Sequence, residues 1–167
     1  MAKRQVFYSF HYVPDNWRAS QVRNIGVVEG NKPASSNEWE EVKKKGDVAV
    51  KKWIDDHLQN RSCTVVLVGR NTANRKWINY EIEKSWKDGK GVVGIYIHGL
   101  KDSDGNQTTE GNNPFNYIEV DGKKMSKIVE CHDTPYKMSD NVYNYIAKHL
   151  EDWIEEAIKI RKDYQVY

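Results

Sequence analysis

Several residue types that would dictate a special class of protein are scarce in this chain of 167 residues. It has two cysteines and four prolines, which excludes a disulfide framework and a proline-rich linker architecture. No run of roughly 18 apolar residues occurs, and the first residues contain no signal-type apolar segment. We therefore expect a soluble, cytoplasmic protein that has reduced cysteines and no membrane association.

An excess of charge of one sign is also missing. The 26 basic and 24 acidic residues give a net charge of +2, so composition does not indicate nucleic-acid binding. The basic run at Lys43–Lys45 follows Glu40 and Glu41, which is typical of the solvated face of a helix. The five histidines are scattered without the spacing of a zinc site, so no metal is predicted.

What the sequence does contain is an alternation of short apolar runs with amphipathic segments. The length predicts one domain over residues 1–167. Apolar runs predict five strands, at residues 6–10, 25–28, 63–69, 92–97 and 128–131. Helical periodicity predicts a helix opened by Asp15, one over residues 38–58 that is weakened at Gly46, one over 77–87, and a long final helix capped by Ser139.

Strands that alternate with helices predict an α/β fold with a doubly wound, mainly parallel five-stranded sheet. In the flavodoxin-like strand order 2-1-3-4-5, ligands bind where the order reverses, beside the carboxyl ends of the first and third strands. Those ends carry Ser9, Phe10 and His11 on one side and lead into the helix with Trp77 and Glu81 on the other. Residues 29–37 are expected to form an exposed loop. The long segment at about 100–125 is predicted to be a functional loop, a disordered excursion, or both.

Glu81 has two interpretations on pattern alone. It follows Trp77 by four residues, which places the carboxylate and the indole on one helix face near the predicted crevice. A partly shielded carboxylate there could have a perturbed pKa and a chemical role. Alternatively, Glu81 pairs with Ser85 or Lys84 at the surface, as Glu83 is predicted to pair with Lys87.

The sequence as a whole resembles the TIR-like family of ThsB proteins, the sensor subunits of bacterial Thoeris antiphage defence. The resemblance runs from about residue 6 to about residue 100. It rests on the following segments: Val-Phe-Tyr-Ser-Phe-His at 6–11, Trp-Arg-Ala at 17–19, Thr-Val-Val-Leu-Val-Gly at 64–69, Thr-Ala-Asn-Arg-Lys-Trp-Ile-Asn-Tyr-Glu at 72–81, and Gly-Ile-Tyr-Ile-His at 94–98.

This resemblance implies an enzyme that consumes NAD as a substrate, with no separate cofactor. It implies cleavage of the nicotinamide–ribose bond, cyclisation to a cyclic ADP-ribose isomer, and activation of an effector protein through that diffusible nucleotide. Glu81 would be the catalytic residue, and Ser9, Phe10, His11 and Trp77 would bind the substrate. A phage-derived trigger and self-assembly are further partners consistent with the family. The alternative is a non-enzymatic TIR module that acts only through interactions.

Overall fold

The computed structural model describes residues 3–31 and 36–164. The strands are β1 (Gln5–Ser9), β2 (Glu29–Gly30), β3 (Cys63–Val68), β4 (Gly91–Tyr96), β5 (Glu119–Val120), β6 (Lys123–Lys124) and β7 (Cys131–His132). The α-helices are α1 (Tyr12–Arg23), α2 (Ser36–Lys44), α3 (Asp47–Leu58), α4 (Lys76–Lys87) and α5 (Ser139–Asp163). Two short 3-10 turns cover Pro114–Tyr117 and Met125–Lys127.

The main sheet is parallel and has the order β2-β1-β3-β4-β7. The strands β5 and β6 form a separate antiparallel hairpin. Without that hairpin, the sheet has the predicted order 2-1-3-4-5, and the flavodoxin-like prediction is confirmed. The strand order reverses between β1 and β3, so the carboxyl ends of these two strands frame the crevice.

Both faces of the sheet are covered, because the central strands are mostly apolar and almost wholly buried. All six residues of β3 are buried. Cys63, Val65 and Leu67 pack in the cluster with α1 and α5, whereas Val66 and Val68 pack in the cluster with α4. This period-two alternation is what a doubly covered parallel strand requires. This packing holds the carboxyl ends of β1 and β3 in fixed positions at the crevice.

Some local predictions are wrong in their bounds. The second strand lies at Glu29–Gly30 rather than at residues 25–28, and residues 32–35 of the predicted exposed loop lie outside the described residues. The helix predicted over 38–58 is two helices, because Gly46 between them has φ +95°, a left-handed conformation that glycine adopts without strain. Met138 rather than Ser139 is the N-cap of α5, and no side-chain hydrogen bond caps that helix end.

The long segment after β4 is held to the sheet edge by a buried arginine. Arg18 of α1 donates hydrogen bonds to the carbonyl oxygens of Leu100 (2.9 Å) and Asn106 (2.8 Å), and its guanidinium lies 3.7 Å from the Asp102 carboxylate. Further along, Gly111 passes so close to β3 that an added Cβ would lie 2.1 Å from the carbonyl oxygen of Gly69. The loop is therefore anchored at both ends over the carboxyl edge of the sheet.

Candidate active site

A cavity of about 510 Å³ opens at the point where the strand order reverses. One wall comes from the end of β1 and the start of α1, including Phe10, His11 and Tyr12. A second wall comes from α2 and α3, and a third from the first turns of α4 with Trp77 and Glu81. The volume lies within the roughly 300–1,000 Å³ typical of small-molecule sites.

Glu81 lies at the inner side of this cavity and bonds directly to β1. The residue is 9% exposed, and its Oε1 atom accepts a hydrogen bond of 2.9 Å from the Ser9 hydroxyl. Ser9 is the last residue of β1 and is itself buried. The predicted juxtaposition of the β1 end with the Glu81 helix is thus present as a side-chain contact.

The protonation of Glu81 is set mainly by its burial. Removal from water disfavours the charged form and raises the pKa of the Glu81 carboxyl to about 8, whereas the hydrogen bond from Ser9 acts in the opposite direction. Between the ordinary pKa of 4.5 and about 8, the folded, ligand-free protein therefore holds a proton that an exposed glutamate would have lost. A carboxyl with such a perturbed pKa in a cleft is a candidate for chemistry.

The other predicted binding residues also lie at this cavity. Phe10, His11 and Trp77 line it. Ser9 does not line the cavity itself but donates a hydrogen bond to Glu81, which does. Burial, aided by the positive charge of Arg75, lowers the pKa of His11, so its imidazole is neutral at pH 7. Trp77 packs edge-on against Tyr80 with 5.9 Å between ring centroids, and its side chain is half-buried.

The surface pairing considered for Glu81 does not occur in the structure. The Ser85 hydroxyl donates to the backbone carbonyl of Glu81 at 2.6 Å rather than to its carboxylate, and Lys84 pairs with Asp88 at 3.3 Å. Within the described part of the chain, no ion pair joins Glu83 to Lys87, so that predicted pair is wrong. Glu83 remains exposed to solvent.

Several cavity residues were not identified from the sequence. Trp39 and Trp53 lie within the helix predicted over residues 38–58, for which no site was predicted, and Arg75 precedes α4 as its N-cap. Asn31 lines the cavity too, and its side-chain oxygen accepts a hydrogen bond of 2.7 Å from the Tyr8 backbone. The six tryptophans of the chain were the available signal, but periodicity cannot distinguish a core position from a cavity wall.

Within residues 3–31 and 36–164, no group of three or more His, Cys, Asp or Glu side chains is placed to hold a metal ion. No helix in this part of the chain is both long and apolar enough to cross a membrane.

Comparison with known families gives a match to the part of the chain that forms most of the cavity. The sequence profile described as "Thoeris protein ThsB, TIR-like domain" matches residues 7–102, which is more than half of the chain. The chain belongs to the ThsB family of TIR-like proteins. The matched region of this ThsB-family chain includes Ser9, Phe10, His11, Trp77 and Glu81.

A curated relative extends the similarity beyond that region. This ThsB-family chain is 42% identical over 134 residues to a Bacillus cereus (strain MSX-D12) protein named "Putative cyclic ADP-D-ribose synthase ThsB1". The aligned part covers 75% of this chain and 69% of the relative. Family membership inferred from residues quoted in the sequence is therefore confirmed.

Proposed function

We propose that this ThsB-family protein is an enzyme of antiphage defence that consumes NAD and releases a cyclic ADP-ribose isomer. The observation that carries the proposal is the buried Glu81 carboxyl, bonded to Ser9 inside the cavity at the switch point of the sheet. The relative named as a cyclic ADP-D-ribose synthase supports the same reaction class.

The first step breaks the glycosidic bond between nicotinamide and ribose. The electron pair of that bond leaves with the nicotinamide nitrogen, which makes nicotinamide a neutral leaving group and leaves positive charge on the ribose. A fixed carboxylate beside the ribose stabilises this oxocarbenium-like transition state. Glu81 is the acidic side chain that the sheet edge holds in place for this role.

Substrate binding changes the protonation state of Glu81. The nicotinamide ring of NAD is positively charged, and an opposite charge within a few ångströms favours the ionised form of a carboxyl. A Glu81 that is largely protonated in the empty cavity therefore loses its proton when the substrate enters. The carboxylate becomes available at the moment the reaction requires it.

The second step determines whether the product is linear or cyclic. If water attacks the ribose, the product is linear ADP-ribose. If a hydroxyl of the adenosine ribose in the same molecule attacks, a ring closes, and the proton of that hydroxyl passes through Glu81 to solvent. An attacking group held in place has an effective concentration far above that of a free reactant, so positioning decides between the two products.

The remaining site residues and partners are part of the same proposal. Phe10, neutral His11 and Trp77 form walls around the nicotinamide ribose, and Ser9 orients Glu81. The cyclic product diffuses to an effector protein, and a phage-derived trigger together with self-assembly controls activity in the cell.

The test compares two substitutions on one helix. Glu81→Gln removes the ionisable group from the cavity, whereas Glu83→Gln makes the same change at an exposed position of α4. We expect infected cells that carry the wild-type or Glu83→Gln chain to accumulate cyclic ADP-ribose isomer and nicotinamide. Cells with Glu81→Gln should show at least a 100-fold loss of both, measured by liquid chromatography and mass spectrometry.

Circular dichroism of the purified variants controls for folding. A folded Glu81→Gln protein that still makes the product would rule out the assigned role of Glu81. Defence without any NAD turnover in the wild type would favour the non-enzymatic interaction module.

A further inference from the structure

The wall of the cavity formed by α2 and α3 has a chemistry unlike that of the Glu81 wall. Trp39 of α2 and Trp53 of α3 both line the cavity and are half-buried. Their ring centroids lie 5.6 Å apart with an interplanar angle of 61°. Two indoles in one wall offer a surface suited to a planar aromatic group.

Of the two indoles, Trp39 is the better placed for stacking. One face of Trp53 is occupied by the imidazole of His57, at a centroid distance of 3.8 Å. The group that lies over Trp39 is the amino group of Lys43, 5.9 Å from the ring centroid. The Lys43 side chain is 41% exposed and flexible, so it can yield its place to a planar ligand.

Cationic side chains accompany the indoles in the cavity lining. Lys43 pairs with Glu40 at 3.0 Å, whereas Arg75 forms no ion pair among the described residues. The Nε atom of Arg75 donates to the carbonyl oxygen of Asn71, which leaves the rest of its guanidinium fork available. A planar cation of this kind matches the oxygens of a diphosphate.

We infer that Trp39 is the stacking platform for the adenine base of NAD, and that it determines whether the product is cyclic or linear. The inference rests on the proposed function of the cavity. It adds the part of the cavity that would bind the adenine end of the substrate. With adenine stacked on Trp39 and the diphosphate beside Arg75, the adenosine ribose is held across the cavity from Glu81. A hydroxyl of the adenosine ribose then attacks the nicotinamide ribose faster than water does.

Trp39 also packs against the small core cluster of Phe7, Val50, Ile54 and Leu58. A purely structural role must therefore be distinguished from stacking. Trp39→Phe keeps an aromatic face, whereas Trp39→Leu keeps apolar contact without one. Trp17→Leu is the matched control, because Trp17 is 55% exposed on α1 and is outside the cavity lining.

The binding experiment titrates AMP, which carries the adenine but has no nicotinamide bond to cleave, into each purified full-length variant by calorimetry. We expect Trp39→Leu to weaken AMP binding by roughly 5- to 150-fold, the range of one base–aromatic stack. Trp39→Phe should stay within about threefold of the wild type, and Trp17→Leu should be unchanged. Equal AMP affinity in wild type and folded Trp39→Leu, or no AMP binding by the wild type, would overturn the inference.

The product experiment measures the ratio of cyclic to linear ADP-ribose in infected cells. Trp39→Leu should lower this ratio at least fivefold, and Trp39→Phe should preserve it. An unchanged ratio in Trp39→Leu would contradict the specificity role. Failure of the proposed function gives a different result, since product would then persist in Glu81→Gln whatever the AMP affinities are.

Discussion

At the scale of single residues, Ser9 opposes the effect that burial has on Glu81. Burial raises the pKa of Glu81 to about 8, and the hydroxyl of Ser9 donates a hydrogen bond that stabilises the ionised form. The pair joins the end of β1 to the first turns of α4, so one hydrogen bond links the carboxyl that we propose as catalytic to the sheet. Its removal should change the pH dependence of the reaction.

For Ser9→Ala, we expect the pKa of Glu81 to rise above that of the wild type. Because kcat/KM reports the ionisation of the free enzyme, its rise with pH should have a midpoint near the wild-type pKa of about 8 and shift to higher pH in the variant. The measurement is nicotinamide release as a function of pH. Ser103→Ala, at an exposed serine of the loop after β4, should keep the wild-type midpoint. A Ser9→Ala profile with that same midpoint would refute the coupling.

The sequence was sufficient to predict the location of Glu81 but not its partner. Strand order and helical spacing depend on apolar periodicity, which is visible in the chain, and they bring Glu81 to the crevice. The hydrogen bond to Ser9 and the exposure of 9% depend on how closely α4 packs against β1. That packing joins residues 72 positions apart and leaves no local pattern.

At the scale of secondary-structure elements, one buried arginine joins α1 to the loop after β4. Arg18 lies 3.2 Å from the Asp15 carboxylate, and both side chains are almost fully buried. The same guanidinium bonds Leu100 and Asn106. The loop position therefore depends on a residue in an element more than 80 positions earlier.

Removing Arg18 should destabilise the protein more than removing an exposed arginine. Arg18→Met leaves the Asp15 carboxylate buried without its cation, which costs about 3–5 kcal/mol in free energy of unfolding. Arg4→Met breaks an exposed pair with Glu155 and should cost less than about 1 kcal/mol. Urea denaturation measures both, and hydrogen exchange should show faster exchange at residues 100–106 only in Arg18→Met.

The double variant Asp15→Asn/Arg18→Met provides the control for the buried charge. It removes both charged groups, so part of the lost free energy of unfolding should return. A double variant less stable than Arg18→Met alone would contradict the explanation by an unpaired carboxylate.

The elements themselves were predicted well where they are long and apolar. The bounds of β3, β4 and α4 were predicted to within one residue because continuous burial or a clear helical stripe defines them. The position of β2 was missed because two exposed residues carry no apolar signal. Its pairing with β1 is fixed by backbone hydrogen bonds, which the sequence does not display.

At the scale of the whole molecule, one core cluster joins the beginning of the chain to its end. Val6 of β1, Leu67 of β3 and Ile158 of α5 belong to the same buried cluster. None of these three elements can leave the cluster without exposing apolar residues of the other two. The fold should therefore behave as one cooperative unit.

We expect urea unfolding to occur in a single transition. Far-UV circular dichroism, which follows the helices, and fluorescence of the six tryptophans should give coincident curves. The substitution Val48→Ala, at an exposed position of α3, should move the midpoint only slightly and to higher urea, because alanine has the higher helix propensity. Two separate transitions would indicate that the long segment after β4 or helix α5 unfolds independently.

The anchored loop after β4 also provides a place to attach a reporter. Ser103 and Gly105 are exposed at its tip, and Arg18 fixes the chain on either side at Leu100 and Asn106. Burial raises the pKa of both native thiols, to about 12 for Cys131, so neither competes strongly for a thiol-reactive dye. A dye on Ser103→Cys would thus report, in real time and from one defined position, any displacement of this edge of the sheet when phage components are added.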